Sequence, residues 1–426
     1  MTISKLYELY QAAGEVSTDT RRINEGAIFF ALKGENFNAN QFADEALKKG
    51  AAYAVIDDPE YQGDRKILVA DVLQCLQELA LHHRRQLTIP VISLTGSNGK
   101  TTSKELMAAV LAKKYNTAFT KGNLNNHIGV PLSLLAVKEK HEMAIIEMGA
   151  NHQREIAFLS SLSEPDYGYI TNYGKAHLEG FGGVQGIIKG KSELYDFLRT
   201  RPGSKVFLNL DDPLQIEKSA GIPAISFGHR AKADYTVQLI DDDRPQIAVR
   251  FEGENIQSQL TGKYNYSNLA VAICVGKHFG VSTADIKAAI EAYAPSNNRS
   301  QLAKTERNQL VVDSYNANPS SIEAALKNFA GFKAGAKWVL LGDMFEMGQW
   351  AAEEHQKIAD LAQKLDFEKV ILTGEEFSRC HVGPNVLQFA TTQDLCQYLE
   401  NEPPTGKTIL IKGSRGMTME KAIPLL

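Results

Sequence analysis

Short apolar runs alternate with amphipathic stretches along most of the chain, and this alternation predicts parallel sheets covered by helices. Near the amino end, AIFFA (27–31) and AYAVI (52–56) read as strands. NQFADEALKKG between them has helical spacing and ends at Gly50, a suitable C-cap. HHRRQLTIP (82–90) is polar and closes on proline, the composition of a linker. A second unit opens with VISLT (91–95), a buried-strand pattern, after which KELMAAVLAKK sets Leu106, Val110 and Leu111 on one helical face. AIIEMG (144–149), YGYITN (167–172) and KVFLN (205–209) continue the strand series, and NLAVAICVGKHFG (268–280) is an apolar helix stopped by Gly280. A third unit starts near Pro295, with strand-like runs LVVD (310–313), WVLLGD (338–343), KVILTG (369–374) and TILIKG (408–413) between helical stretches. Ligands of open α/β sheets bind beyond the carboxyl ends of strands. Asp313, Asp343 and the Lys412–Gly413 pair stand at such ends, where a site would form.

Bulk properties narrow the picture without changing it. A chain of 426 residues suits two to four domains. A net charge of -4 argues against a nucleic-acid binder. Cys75, Cys274, Cys380 and Cys396 are far apart and form no C-x-x-C, so reduced thiols in a cytosolic protein are the simplest reading. The start, MTISKLYELYQAAGEV, lacks the apolar core of a secretory signal, and no run is long enough to span a membrane.

The chemistry centres on SLTGSNGKTTSKEL (93–106). Gly99, Lys100 and Thr101 fit the second half of a phosphate loop, but Leu94 stands where its first glycine belongs. Gly96 and Gly99 let backbone N–H groups approach phosphate oxygens, and the following helix start adds partial positive charge. Lys100 suits a β/γ-phosphate and Thr101 suits Mg²⁺. Kinase, switch GTPase and ligase all fit this loop, although the N-K-x-D that reads guanine is missing. Glu147, ending an apolar strand, needs a metal or a core cation as partner. His177 sits in a glycine-rich stretch, either as a ligand or as a structural residue. Lys189 and Lys191 are i,i+2 on a helix, so at most one faces a common site. Asp313 suits ribose hydroxyls or a turn cap, and Asn318 with Pro319 reads as a helix start.

Taken together, TGSNGKTT, GNLNNHIGVPLSLL, EMGANHQREI, TNYGKAHLEGFGG, DSYNANPSS, LGDMFEMG and KGSRGM resemble the motifs of the Mur ligase family of cell-wall peptide synthetases. STDTRR (17–22) and ALKGENFNANQFADEA (31–46) resemble that family's uridine-nucleotide domain, so the likeness covers nearly the whole chain. The family's loop begins T-G-x-x-G-K-T and needs no earlier glycine. The resemblance implies an α/β chain of three domains. These are a small amino-terminal α/β domain (1–84) for the uridine nucleotide, a central P-loop-type ATPase domain (85–295), and a carboxy-terminal Rossmann-like domain (296–426) for ATP and dipeptide. It implies a cytoplasmic, monomeric ATP-dependent ligase that uses UDP-N-acetylmuramoyl-tripeptide and D-alanyl-D-alanine. Such an enzyme serves cell-wall biogenesis, and through it cell shape and division. The domains would close on substrate, so an open unliganded form is expected.

The resemblance also assigns roles. Gly96, Ser97, Asn98, Gly99, Lys100, Thr101, Thr102, Asn268, Arg299 and Asp313 would bind ATP. Lys100, His177 and Lys191 would be catalytic. Thr101, Glu147, His177 and Lys191, the last as a CO₂-derived carbamate, would hold Mg²⁺. Thr20 and Arg21 would touch the uridine part. Asn123 and Asn126 would line the substrate channel, and Asn316, Asn318, Lys412, Ser414 and Arg415 would contact substrate from the third domain. This chain has Tyr264–Asn265 where the family often has His-Asn, and Ser192 where K-G-E is common.

Overall fold

The structure is a computed structural model that describes residues 1–229, 232–242, 244–295 and 299–426. The expected start of the third domain, residue 296, lies outside the described residues.

Every strand-like run named above forms a strand. Val16–Ser17, Ile28–Phe30, Tyr53–Ile56 and Lys66–Leu68 pair in parallel as a small sheet. Among the described residues the central sheet has seven parallel strands, with Val91–Thr95 between Tyr167–Ile170 and Met143–Glu147. Strand order reverses there, which opens a crevice at the carboxyl ends of those three strands. The register pairs Leu94 with Glu147 and Thr95 with Ile170, so the loop after Thr95 emerges between Glu147 and Thr171. The third sheet runs Gln301–Lys304, Gln309–Val312, Thr408–Lys412, Lys337–Gly342, Lys369–Thr373, Val386–Phe389, parallel except at its first strand. Its strand Thr408–Lys412 lies between Gln309–Val312 and Lys337–Gly342, a second order reversal, which brings Lys412 to Asp313. An antiparallel sheet of Gln238–Ile240, Gln246–Phe251 and Glu254–Thr261 was not anticipated from the sequence.

The helical expectations also hold. Leu106, Val110 and Leu111 are fully buried in helix Lys100–Leu111. The apolar helix is Tyr266–His278, ending before Gly280 at φ 73. The four cysteines are free. No described helix is long and apolar enough to cross a membrane.

The linker expectation fails. Residues 82–86 finish helix Val72–Gln86, which therefore runs across the expected 84/85 boundary. His83 and Arg84 are buried. Arg84 donates to the carbonyls of Ser163 (2.8 Å) and Glu164 (2.7 Å) and pairs with Asp166 at 3.0 Å. His83 lies against the carbonyl of Val137 at 2.9 Å, and Tyr10 donates to that of Leu135. His83 and Arg84 thus form a buried seam between the first unit and the central sheet, with partners about 50 to 80 positions downstream. Arg84→Ala would leave two carbonyls unsatisfied and is expected to cost about 2–4 kcal/mol. The denaturation midpoint checks this. Arg201→Ala, which removes a more exposed partner of Asp166, should shift the midpoint much less.

Candidate active site

The phosphate loop is shaped by its neighbours. A Cβ on Gly96 (φ 138) would stand 2.0 Å from Thr171 Oγ1, and one on Gly99 (φ 78) would stand 2.5 Å from Asn268 Oδ1. Left-handed backbone and close approach both demand glycine at these two positions. Leu94 belongs to the strand, and the cradle begins after Thr95. Ser97 N donates to the carbonyl of Asn172 (3.0 Å), Thr171 Oγ1 to that of Asn98 (2.6 Å), and Ser97 Oγ to that of Gly174 (2.6 Å). Lys100 folds back so that Nζ donates to the carbonyls of Gly96 (2.6 Å) and Ser97 (3.3 Å). Desolvation holds its pKa below the ordinary lysine value, with Glu147 acting against the shift and Arg299 with it.

Glu147 is the buried acid of the site, its side chain 2% exposed. Oε1 accepts from Asn125 Nδ2 at 2.8 Å and from Thr101 Oγ1 at 3.3 Å. Oε2 faces Lys104 Nζ at 3.3 Å but makes no hydrogen bond. Both readings of this acid therefore meet in one residue. It has a core lysine as ion-pair partner, and the oxygen that faces this lysine carries no hydrogen bond. Neither Lys104 nor Asn125 was singled out from the sequence. The signal for Lys104 was available, since it lies i+3 from Thr101 and so faces what Thr101 faces.

His177 and Lys191 are placed apart from this pair. His177 takes φ 56 ahead of helix Leu178–Phe181, and its Nδ1 meets the carboxylate of Glu346 from the third unit. That contact holds the Glu346 carboxyl below its usual range. Lys189 is exposed, whereas Lys191 is fully buried, which resolves the pair as the i,i+2 spacing required. Lys191 Nζ donates to the carbonyl of Ala150 at 3.0 Å and stands 4.8 Å from the centre of the Phe181 ring. Burial, and next the charge of Lys100, push its pKa well below that of an ordinary lysine. Ala150 lines the cavity and Lys191 lies behind it. Among the described residues no group of three or more His, Cys, Asp or Glu side chains is gathered as a metal site.

A cavity of about 970 Å³ joins these parts to the third unit. Of the residues anticipated, Ser97 to Thr102, Asn123, Asn126, Glu147, His177, Asn268, Arg299, Asp313, Asn316, Asn318 and Lys412 line it. Asn268 accepts from Ser103 Oγ (2.8 Å) and donates to Asn265 Oδ1 (2.7 Å), beside Tyr264. Asp313 accepts from Lys412 Nζ at 2.7 Å and from Ser300 N at 3.2 Å. The Arg299 guanidinium stands 3.5 Å from the Tyr315 ring centre, its Nε buried without a hydrogen bond. Gly96 and Lys191 do not line the cavity, nor do Thr20, Arg21, Ser414 and Arg415. Arg21 is exposed and paired with Asp19 at 2.8 Å. Ser414 Oγ accepts from Phe345 N, and Arg415 is exposed, 5.6 Å from the Tyr315 ring centre. Asp343, expected at the site because it ends a strand, instead accepts from Glu376 N (3.0 Å) and Phe377 N (2.9 Å). It anchors the start of helix Glu375–Ser378 and is not on the cavity wall.

The third unit is in direct contact with the central one. Asn318 Nδ2 donates to Asn98 Oδ1 at 2.7 Å, so the third unit touches the phosphate loop itself. Lys175 binds both oxygens of Glu354 (2.8 and 3.0 Å), and its N–H donates to Ser320 Oγ at 2.8 Å. These contacts join the third unit to the central one around the cavity.

Comparison with known proteins gives the following likenesses. Family models match in series: Mur ligase family, catalytic domain (14–94), Mur ligase middle domain (94–276), and Mur ligase, glutamate ligase domain (298–415). The chain is 33% identical to the UDP-N-acetylmuramoyl-tripeptide–D-alanyl-D-alanine ligase of Bacillus subtilis, over 96% of this chain and 92% of that one. It is equally 33% identical to the Escherichia coli protein of that name, over 96% and 93%. Among solved structures it is similar to MurF from Acinetobacter baumannii, at TM-score 0.86 and 29% identity over 98% and 97% of the two chains. A MurF ligase from Thermotoga maritima in complex with ADP gives TM-score 0.83 and 25% identity, over 96% of each chain.

Proposed function

The chain belongs to the Mur ligase family, and from that premise we propose how its cavity works. The protein is an ATP-dependent ligase that joins D-alanyl-D-alanine to UDP-N-acetylmuramoyl-tripeptide, a step of peptidoglycan synthesis. The observation that carries this reading is the cavity's double origin. Lys100, Thr101 and Glu147 come from the central unit and Asp313 and Lys412 from the third. A nucleotide and an acceptor would thus share one cavity.

In the proposed course, the tripeptide's terminal carboxylate attacks the γ-phosphorus of ATP. ADP leaves and an acyl phosphate forms. The dipeptide's amine then attacks the acyl carbon, inorganic phosphate departs through a tetrahedral intermediate, and the nitrogen loses its proton as the amide forms. Lys100 leaves the Gly96 and Ser97 carbonyls to meet the transferring phosphoryl group, while the loop's N–H groups from Gly99 onward hold the phosphates, those of Ser97 and Asn98 being bonded to Asn172. Asn268 faces the adenine, and Arg299 and Asp313 attend phosphate and ribose. Lys412, ion-paired to Asp313, fixes that carboxylate in place. Thr20 and Arg21 meet the uridine part, Asn123 and Asn126 line the acceptor channel, and Asn316, Asn318, Ser414 and Arg415 stand on the dipeptide side.

The residues present fit a divalent cation, because Glu147 and Thr101 both line the cavity, Glu147 Oε1 meets Thr101 Oγ1, and Oε2 makes no hydrogen bond although it faces Lys104. Mg²⁺ would be held by Thr101 and Glu147, with His177 and a carbamylated Lys191 proposed for a second ion. Bound there, it supplies charge neutralisation for the phosphates. We further propose domains at 1–84, 85–295 and 296–426, a monomer, and a cytoplasmic setting with effects on cell shape and division.

An acceptor panel tests the function. ADP release is expected only when both the muramoyl tripeptide and D-alanyl-D-alanine are present with ATP. Release with a shorter muramoyl peptide plus a free amino acid, or with a folate acceptor, and none with this pair, would replace the assignment.

A further inference from the structure

Lys104 has no part in the reaction above, yet its side chain is fully buried. It lies one turn past Thr101 in helix Lys100–Leu111. Nζ reaches Glu147 Oε2 at 3.3 Å without a hydrogen bond, and the carbonyl of Gly122 only at 3.5 Å. A buried ammonium has three donors, and a buried ion pair stabilises a fold only with good geometry and satisfied donors. This pair has neither, so its contribution is mainly its charge.

We propose that Lys104 is the resident counter-cation of Glu147, a positioning residue that sets when a divalent ion binds. This rests on the reading of Glu147 as an ion ligand. Without nucleotide, the Glu147 and Lys104 charges cancel, and an incoming cation meets a neutral pair with Lys100 nearby. The negative phosphates of ATP restore the attraction. The ion therefore enters with the nucleotide rather than ahead of it, and Lys104 keeps Glu147 aimed between turnovers.

The test is thermal unfolding of the full chain with and without MnCl₂, nucleotide absent. Removing the lysine leaves an uncompensated buried carboxylate, so Lys104→Met should melt lower without metal. A ligand that binds only the folded state raises the midpoint according to its affinity. Mn²⁺ should therefore stabilise Lys104→Met more than the parent, with apparent affinity at least about tenfold higher. Lys104→Gln should shift in the same direction. The gain should vanish in Lys104→Met combined with Glu147→Gln. Unchanged or weaker Mn²⁺ affinity in both single variants overturns the proposal and leaves the role of Glu147 standing. A gain that survives in the double variant overturns both. If Lys104→Met folds only when Mn²⁺ is present, the proposal is supported. If it fails to fold even then, the Mn²⁺ affinity of Lys104→Gln decides.

Discussion

Lys100→Ala is expected to lower kcat at least about 10³-fold, roughly 4 kcal/mol of barrier, with the fold intact. The fold should survive because Lys100 bonds only the carbonyls of Gly96 and Ser97, at the wall of an open cavity. Phosphoryl transfer asks the protein for position and charge, and Lys100 is the cation nearest the cradle. Lys100→Arg should not rescue, since a planar fork does not replace a compact ammonium in so tight a loop. Single-turnover ADP release measures the effect, and a loss below tenfold, about 1.4 kcal/mol, would remove Lys100 from this role. A pH effect accompanies it. Burial lowers the Lys100 pKa in the free protein, so kcat/KM, which reports the free enzyme, should fall on the alkaline side before an ordinary lysine would titrate. Bound phosphates favour the charged form, so kcat should hold to higher pH.

Lys100, Thr101 and Glu147 were legible because local rules suffice for them. A strand, a glycine turn and a helix start place the first two, and a charged end on an apolar run marks the third. The same rules overreached at Asp343, whose partners are the backbone N–H groups of a short helix more than 30 positions on. Arg84 read as linker because its polar character is visible and its buried partners are not. Glu346, which meets His177 from 169 positions away, left no local trace. The sheet of residues 238–261 was overlooked because its period-two pattern is interrupted. Ile247, Ala248 and Val249 are buried in succession, where the register of the pairing strands shifts. Local pattern thus located the loop and strand end that line the cavity, while contacts between units had to come from three dimensions.

The second large effect is expected at Lys191. Its amine is fully buried with one hydrogen bond, to the carbonyl of Ala150. Burial and the neighbouring Lys100 charge favour the neutral amine, the form that attacks CO₂. In the carbamylation proposed for it, the nitrogen lone pair would bond to carbon, one proton would leave, and a carbamate anion would replace a neutral amine. That exchange would place a negative oxygen donor where the amine offers metal no charge. Lys191→Ala should therefore lower kcat about 10³-fold or more, and a short carboxylic acid should restore part of it by placing a carboxylate in the vacated space. The parent is expected to lose activity in degassed buffer and regain it with added CO₂, and Lys191→Ala should show no such dependence. Because carbamate formation releases a proton, the parent's CO₂ requirement should grow as pH falls. Carbon-13 NMR of the native protein under labelled CO₂ gives a readout independent of turnover. A carbamate resonance present in the parent and absent in Lys191→Ala is the expected result. A parent without that resonance, or a Lys191→Ala variant that no carboxylic acid restores, would leave Lys191 as a buried structural lysine beneath Ala150.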